Sequence, residues 1–331
     1  MALKRSWALL VAAGLLAGAC GDDGDDAAGT TTTTAGGTPG VVENCSVEVA
    51  AADPPERAVT MNQAATEVVL SLGLEDRLAG TAYLDDEILP ELADAYEDVP
   101  VLAEEYPSRE ALLDADPDFV YASYASAFGD EAAGSREDLA TIDVGSYLSP
   151  AACPDFRETG EPLTFDMVVQ EVRDIATIFG VTEAGEALIA EQEELVEDAA
   201  FDADDEISVL WWDDALEAPS VGACCGAPGM MMTALGLDNV FDDVEGGWAE
   251  VNWEEVVEAD PDVIVLVDAS WSTAADKEAH LRGDAALRDL TAVVEDRLVT
   301  IPFSATTPGI RVAPALGELG EAIRALDLDA G

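Results

Sequence analysis

Ser108-Arg-Glu-Ala-Leu-Leu-Asp-Ala-Asp-Pro-Asp-Phe-Val120 is matched, 144 residues further along, by Asn252-Trp-Glu-Glu-Val-Val-Glu-Ala-Asp-Pro-Asp-Val-Ile264. Each copy opens on a residue whose side-chain oxygen can cap a helix and carries a glutamate two positions on. Apolar residues then recur on one helical face, Asp-Pro ends the helix, and an apolar segment follows. Proline cannot continue a helix, and the residue before it is pushed away from right-handed helical geometry. The same break is therefore expected at Pro117 and Pro261. A helix leading at once into a buried strand, written twice, predicts two α/β lobes of related build.

Working outward, Arg57–Met61 reads as a strand, Ala65–Leu72 as a helix closed by Gly73, and Leu78–Thr81 and Phe119–Ala122 as further strands. In the second half Ile207–Leu210, Val263–Val267 and Leu298–Pro302 read the same way. This alternation predicts an α/β fold of two Rossmann-like lobes with mainly parallel sheets. Between them Phe165, Val168, Val169, Val172, Ile175, Ala176 and Phe179 stand at helical spacing; Gly180 interrupts the pattern and Ala184–Val196 resumes it. A long connector helix is expected to bridge the lobes. The division is residues 46–162 for the first lobe, 163–205 for the connector and 206–331 for the second lobe.

Seventy acidic residues against 14 basic ones give a formal charge of -56, which repels phosphate and excludes a nucleic-acid partner. A hydrophobic content of 49% still suffices for two cores. Lys277 is the only lysine after Lys4. A carboxylate-rich surface nearly free of lysine suits a saline medium, where salt screens self-repulsion.

The first 20 residues read as a signal segment: basic Lys4 and Arg5, then the apolar stretch Trp7–Ala19, too short to span a bilayer. Leu16-Ala-Gly-Ala-Cys20 resembles a bacterial lipobox, with Cys20 as the lipidated residue. Residues 21–45 are expected to form a flexible tether, rich in Gly, Asp, Thr and Ala through Gly40. Cys45, Cys153, Cys224 and Cys225 remain, and in an exported chain they predict up to two disulfides with three possible connectivities. Adjacent Cys224 and Cys225 are each expected to pair with a distant partner rather than with each other.

A lipid-anchored pair of α/β lobes joined by a long helix resembles the substrate-binding lipoproteins of ABC importers, in the cobalamin, iron-siderophore and haem class. The residues carrying the resemblance are Pro55-Glu-Arg-Ala-Val59, Ala65-Thr-Glu67, Leu72-Gly73, the two repeat segments, Trp248 and Pro308-Gly-Ile-Arg311. The resemblance implies an ABC permease with its ATPase as partner, contact with the membrane only through the lipid anchor, and a monomer on the extracytoplasmic face. It also implies that Glu110 and Glu254, each seven residues before the proline of its repeat, dock on the permease. Both fall in a helix's first turn, where the macrodipole favours a carboxylate.

Ligands of two-lobed α/β binders lie beside the C-terminal ends of the strands. That rule points to Asn62, Tyr83, Tyr124 and Phe128 in the first lobe, and to Trp211, Trp271 and Arg311 in the second; the resemblance implies a cleft aromatic at Tyr83 and adds Trp248, which precedes the second repeat by the family's spacing. The aromatics would wall a large flat or macrocyclic cargo; Arg311 would meet an acidic group of the cargo or one of the chain's own carboxylates. The three consecutive methionines, Met230 to Met232, are expected to pack. No cofactor and no metal-ligating residue is expected, since His280 is the only histidine and reads as an exposed helix residue. That disfavours a binder of bare Zn²⁺ or Mn²⁺. An exported carboxylate-based hydrolase is a weaker alternative, because nucleophile-elbow and phosphate-loop motifs are missing.

Overall fold

A computed structural model of the chain describes residues 41–50, 53–201, 207–326 and 328. The signal segment 1–20, Cys20 and tether residues 21–40 lie outside the described residues. A hairpin of β1 (Val41–Asn44) and β2 (Val47–Ala50) comes first. The first lobe then runs β3 (Ala58–Met61), α1 (Gln63–Ser71), β4 (Leu78–Ala82), α2 (Ala93–Tyr96), β5 (Val101–Ala103), α3 (Arg109–Asp114), β6 (Phe119–Ala122), α4 (Arg136–Ala140) and β7 (Gly145–Leu148). Its five strands lie parallel in the order β5-β4-β3-β6-β7. Helices α5 (Pro154–Thr159), α6 (Phe165–Ile178) and α7 (Thr182–Ala199) follow.

The second lobe contains β8 (Ser208–Asp214), β9 (Ser220–Gly222), α8 (Ala227–Leu235), β10 (Asp238–Asn239), β11 (Trp248–Glu250), α9 (Trp253–Ala259), β12 (Val263–Asp268), α10 (Ala274–Gly283), α11 (Thr291–Val294), β13 (Leu298–Pro302) and α12 (Val312–Arg324). Its sheet runs β11-β9-β8-β12-β13, with β8, β12 and β13 parallel, β9 and β11 antiparallel, and β10 paired to β8. The expected α/β architecture of two largely parallel sheets is present.

The repeat is reproduced down to single bonds. Ser108 caps α3, its Oγ accepting from Ala111 N at 3.2 Å, and Asn252 caps α9, its Oδ1 accepting from Glu255 N at 3.0 Å. Asp116 and Asp260, each before its proline, take left-handed φ values of 51° and 41°. Asp can adopt that conformation more readily than most residues, so the helix stops there. The aspartate after each proline then fastens the neighbouring strand. Asp118 accepts from the amides of Glu56 and Arg57 at the head of β3, and Asp262 from the amide and hydroxyl of Ser208 at the head of β8.

The bridge is helical and breaks where Gly180 interrupts the sequence pattern. Gly180 takes φ 72°, the chain reverses, and α7 folds back on α6 so closely that a Cβ on Gly185 would lie 2.4 Å from the Ala176 Cβ. The connector is thus a helix pair, because the apolar stripe of α6 needs covering on more than one side. Val169, Val172 and Ile175 of α6 belong to the first-lobe core while Val168 joins the second-lobe core. Helix α6 also carries Glu171 and Asp174 against the first sheet. Glu171 accepts hydrogen bonds from Tyr121 Oη at 2.5 Å and Ser149 Oγ at 2.7 Å, and Asp174 accepts one from Tyr147 Oη at 2.9 Å.

Two cysteine expectations need correction. Residues 41–45, read as the end of the tether, belong to the hairpin on the first lobe, where Asn44 and Leu148 exchange hydrogen bonds at 2.8 and 3.0 Å. Cys45 is thereby brought to Cys153 and bonded to it, which leaves Cys224 and Cys225 to bond to each other rather than to distant partners. The Cys45–Cys153 bridge spans 108 residues. The double change Cys45→Ser, Cys153→Ser is expected to lower stability by about 2 kcal/mol, the low end for a long loop because the Asn44 bonds survive. Urea unfolding checks this; an unchanged midpoint and slope would refute it.

Candidate functional site

The C-terminal ends of the two parallel sheets face a common cleft, and a cavity of about 550 Å³ opens there. Its first-lobe wall is Ser123 and Tyr124 after β6 and Ser149 after β7. The second lobe contributes Asp213 at the end of β8, Trp248, and the turn Phe303–Pro308 after β13. Residues 156–163, ahead of α6, close one side, and Cys225 with Gly226 at the head of α8 close another.

Tyr124 and Trp248, chosen from the sequence, line this cavity. The Tyr124 hydroxyl shares a hydrogen bond with Thr307 Oγ1 at 2.8 Å, across the lobes, and burial pushes its pKa up to about 12. Tyr83, Asn62 and Trp271 stand outside its wall. Tyr83 packs its ring 4.6 Å from that of Tyr106, whose hydroxyl donates to Asn62 Oδ1 at 3.1 Å. Asn62 is buried, holds φ 77° and leaves its Nδ2 without a partner. Trp271 is 58% exposed and meets Phe303, a cavity residue, at 4.9 Å.

Two expected cleft residues are placed elsewhere, and Arg311 takes the second of its two expected roles, pairing with one of the chain's own carboxylates. Trp211 is fully buried among Val209, Met231 and Val265 in the second-lobe core. Its neighbour Trp212 is equally buried on the opposite face, because helices cover both faces of this sheet. Phe128 packs against the Leu112 and Leu139 cluster behind the first sheet. Arg311 is an inter-lobe tie: its Nε donates to Glu67 Oε2 at 2.6 Å and its Nη1 to Ser304 Oγ at 2.9 Å, and Nη2 reaches Glu67 Oε1 and the Glu87 carbonyl. Its side chain is 12% exposed and that of Glu67 is 0% exposed. A second tie joins Ser304 Oγ to Asp86 Oδ2 at 2.8 Å. Glu110 and Glu254 are exposed in the first turns of α3 and α9.

The helix α10 also differs from its reading. His280 is half-buried, its ring 5.4 Å from Trp253 and 6.0 Å from Trp212. Lys277 is fully buried and donates to the carbonyls of Val267 and Ser272 at the end of β12. Met230, Met231 and Met232 are all buried in the second-lobe core. Reading the sequence missed Asp213, whose carboxyl burial raises to about 6, with Asp214 adding to the rise and Lys277 opposing it. The rule that pointed to the end of β8 covers Asp213 as well as the tryptophans before it.

Two lobes, a cleft at the strand ends and a helical bridge form the architecture of a solute-binding protein. The family model described as periplasmic binding protein matches residues 59–305, and the chain belongs to that family, the substrate-binding components of ABC importers. A periplasmic binding protein from Veillonella parvula superposes with a TM-score of 0.76 at 27% identity, covering 85% of this chain and 95% of its own. An ABC-type Fe³⁺-hydroxamate transport component from Saccharomonospora viridis follows at 0.70 and 23%, covering 87% and 99%. A haem-binding periplasmic protein from Roseiflexus reaches 0.62 at 21%, covering 81% and 97%; these last two share the fold. No protein of curated function matches the sequence.

Proposed function

We propose that this chain is a lipid-anchored binding protein, held through Cys20 on the extracytoplasmic face. In this reading it captures an organic metal complex, a ferric siderophore, corrinoid or haem, and hands it to an ABC permease. The cavity of about 550 Å³ between the lobes carries the reading: it accommodates an organic ligand of that size and is far larger than a bare ion needs. Its Trp248, Phe303 and Tyr124 supply apolar walls with hydroxyls between them. The hydroxamate and haem descriptions of two structural neighbours point the same way. In a thermal-shift screen of the soluble chain in high salt, one class of chelate is expected to raise the melting temperature. Stabilisation by bare Fe³⁺, Zn²⁺ or Mn²⁺ alone would sink the reading.

Permease docking through Glu110 and Glu254 is part of the same proposal. Charge reversal of both (Glu110→Arg, Glu254→Arg) is expected to cut uptake about tenfold or more while leaving cargo affinity unchanged. Both side chains are exposed, so folding is not at stake. Undiminished uptake by the double variant would rule out this docking.

A further inference from the structure

We propose that the cleft selects a cargo bearing a positive charge, gripped by Asp213 of the second lobe; this rests on the chelate reading above. The charged residues in the cavity wall are Asp213, Arg157 and Glu161. Arg157 and Glu161 are exposed at the rim, four residues apart and opposite in sign, so solvent and each other offset them. Asp213 lies deeper, half-buried, and accepts no hydrogen bond among the described residues. Burial already raises its carboxyl, so its ionised form lacks solvation that a cation would restore.

The chain's own cations do not fill that role. Lys277 acts on Asp213, Asp214 and Asp268 together, one charge against three, and its ammonium is spent on two main-chain carbonyls. Arg311 is committed to Glu67, Ser304 and Glu87. From the first lobe, Asp86 is already satisfied by Ser304 across the cleft. A cation beside Asp213 supplies the partner that its carboxylate lacks.

The overall acidity does not explain Asp213. Carboxylates out on the surface are solvated and screened by salt within about 10 Å at 0.1 M, but groups half-buried in a cavity are screened far less. One feature opposes the proposal: the head of α8 opens on the cavity at Gly226, and a helix N-terminus favours an anion. The test therefore includes anions.

Equilibrium binding to the soluble chain, followed by tryptophan fluorescence, would use two charge pairs and two anions. The pairs are a linear ferric trihydroxamate with a free ammonium arm against its N-acetylated form, and aquocobalamin against cyanocobalamin. The anions are haemin and a ferric tris-catecholate. Whichever scaffold binds, its cationic member is expected to bind about tenfold tighter than the neutral one, with both anions weaker still. Asp213→Asn is expected to shrink that preference to about threefold or less. Equal affinities within the pair that binds, or tightest binding of an anion, overturn the charge selection alone. Binding of none of the six overturns the chelate reading and the inference with it.

Discussion

Replacement of Arg311 by alanine is expected to destabilise the folded protein by about 3–5 kcal/mol, the cost of stranding a buried charge. Glu67 is wholly buried within α1, and its carboxylate accepts two of the guanidinium's donors. Without them its only donors are the Gln63 amide and the Leu89 N–H. Lysine at 311 would return the charge but not the fork, so Arg311→Lys should recover only part of the loss. The paired change Glu67→Gln, Arg311→Met removes both charges and should be far milder than Arg311→Ala. Chemical unfolding of the three variants checks the order. If Arg311→Ala costs less than about 1 kcal/mol, the tie is no stronger than a surface ion pair. Because the tie crosses from lobe to lobe, the same variant should also loosen the cleft and weaken cargo binding.

A second large effect concerns pH. Burial raises the Glu171 carboxyl from 4.5 to about 7; Asp174 adds to the rise and the Tyr121 and Ser149 hydrogen bonds resist it. Below pH 4.5 the group is protonated folded or unfolded and costs nothing. Between 4.5 and 7 the unfolded chain releases the proton while the folded one keeps it, so stability falls as pH rises. Above 7 the penalty is complete, on the order of 3 kcal/mol. Glu171→Gln keeps the shape and removes the titration. Relative to the parent protein it is expected to gain stability from pH 5 to pH 7.5, with little advantage at pH 4. Parallel unfolding curves for the two proteins across that range would refute the assignment. The comparison must be a difference, because the surface carboxylates contribute their own pH dependence to both.

The repeat around Pro117 and Pro261 made the fold legible, since a cap, an apolar face and an Asp-Pro stop are local signals that tertiary contacts do not override. Strand ends were legible for the same reason, and they located Tyr124, whereas Trp248 came from the family resemblance. Trp211 was not legible. Alternation on a strand says that two adjacent residues face opposite ways, but not that both faces are covered. His280 misled differently: a lone histidine beside charged neighbours reads as exposed, and only the fold brings the Trp212 and Trp253 rings to it. The disulfide partners of Cys45 and Cys224 depend on where a hairpin lands, which spacing does not encode. Asp213 was hidden by abundance, for among 70 acidic residues none stands out until burial distinguishes it.

Helix α6 belongs to both cores at once, with Val168 on one side and Val169, Val172 and Ile175 on the other. The consequence is kinetic. A beam shared by two lobes cannot swing like a loop hinge, so the entrance for cargo is not gated by a slow opening step. Association is expected at the ordinary rate for oriented encounter, about 10⁵–10⁷ M⁻¹s⁻¹, and to vary little between cargos. Discrimination would then appear as residence time, set by how long each cargo keeps its contacts with both walls.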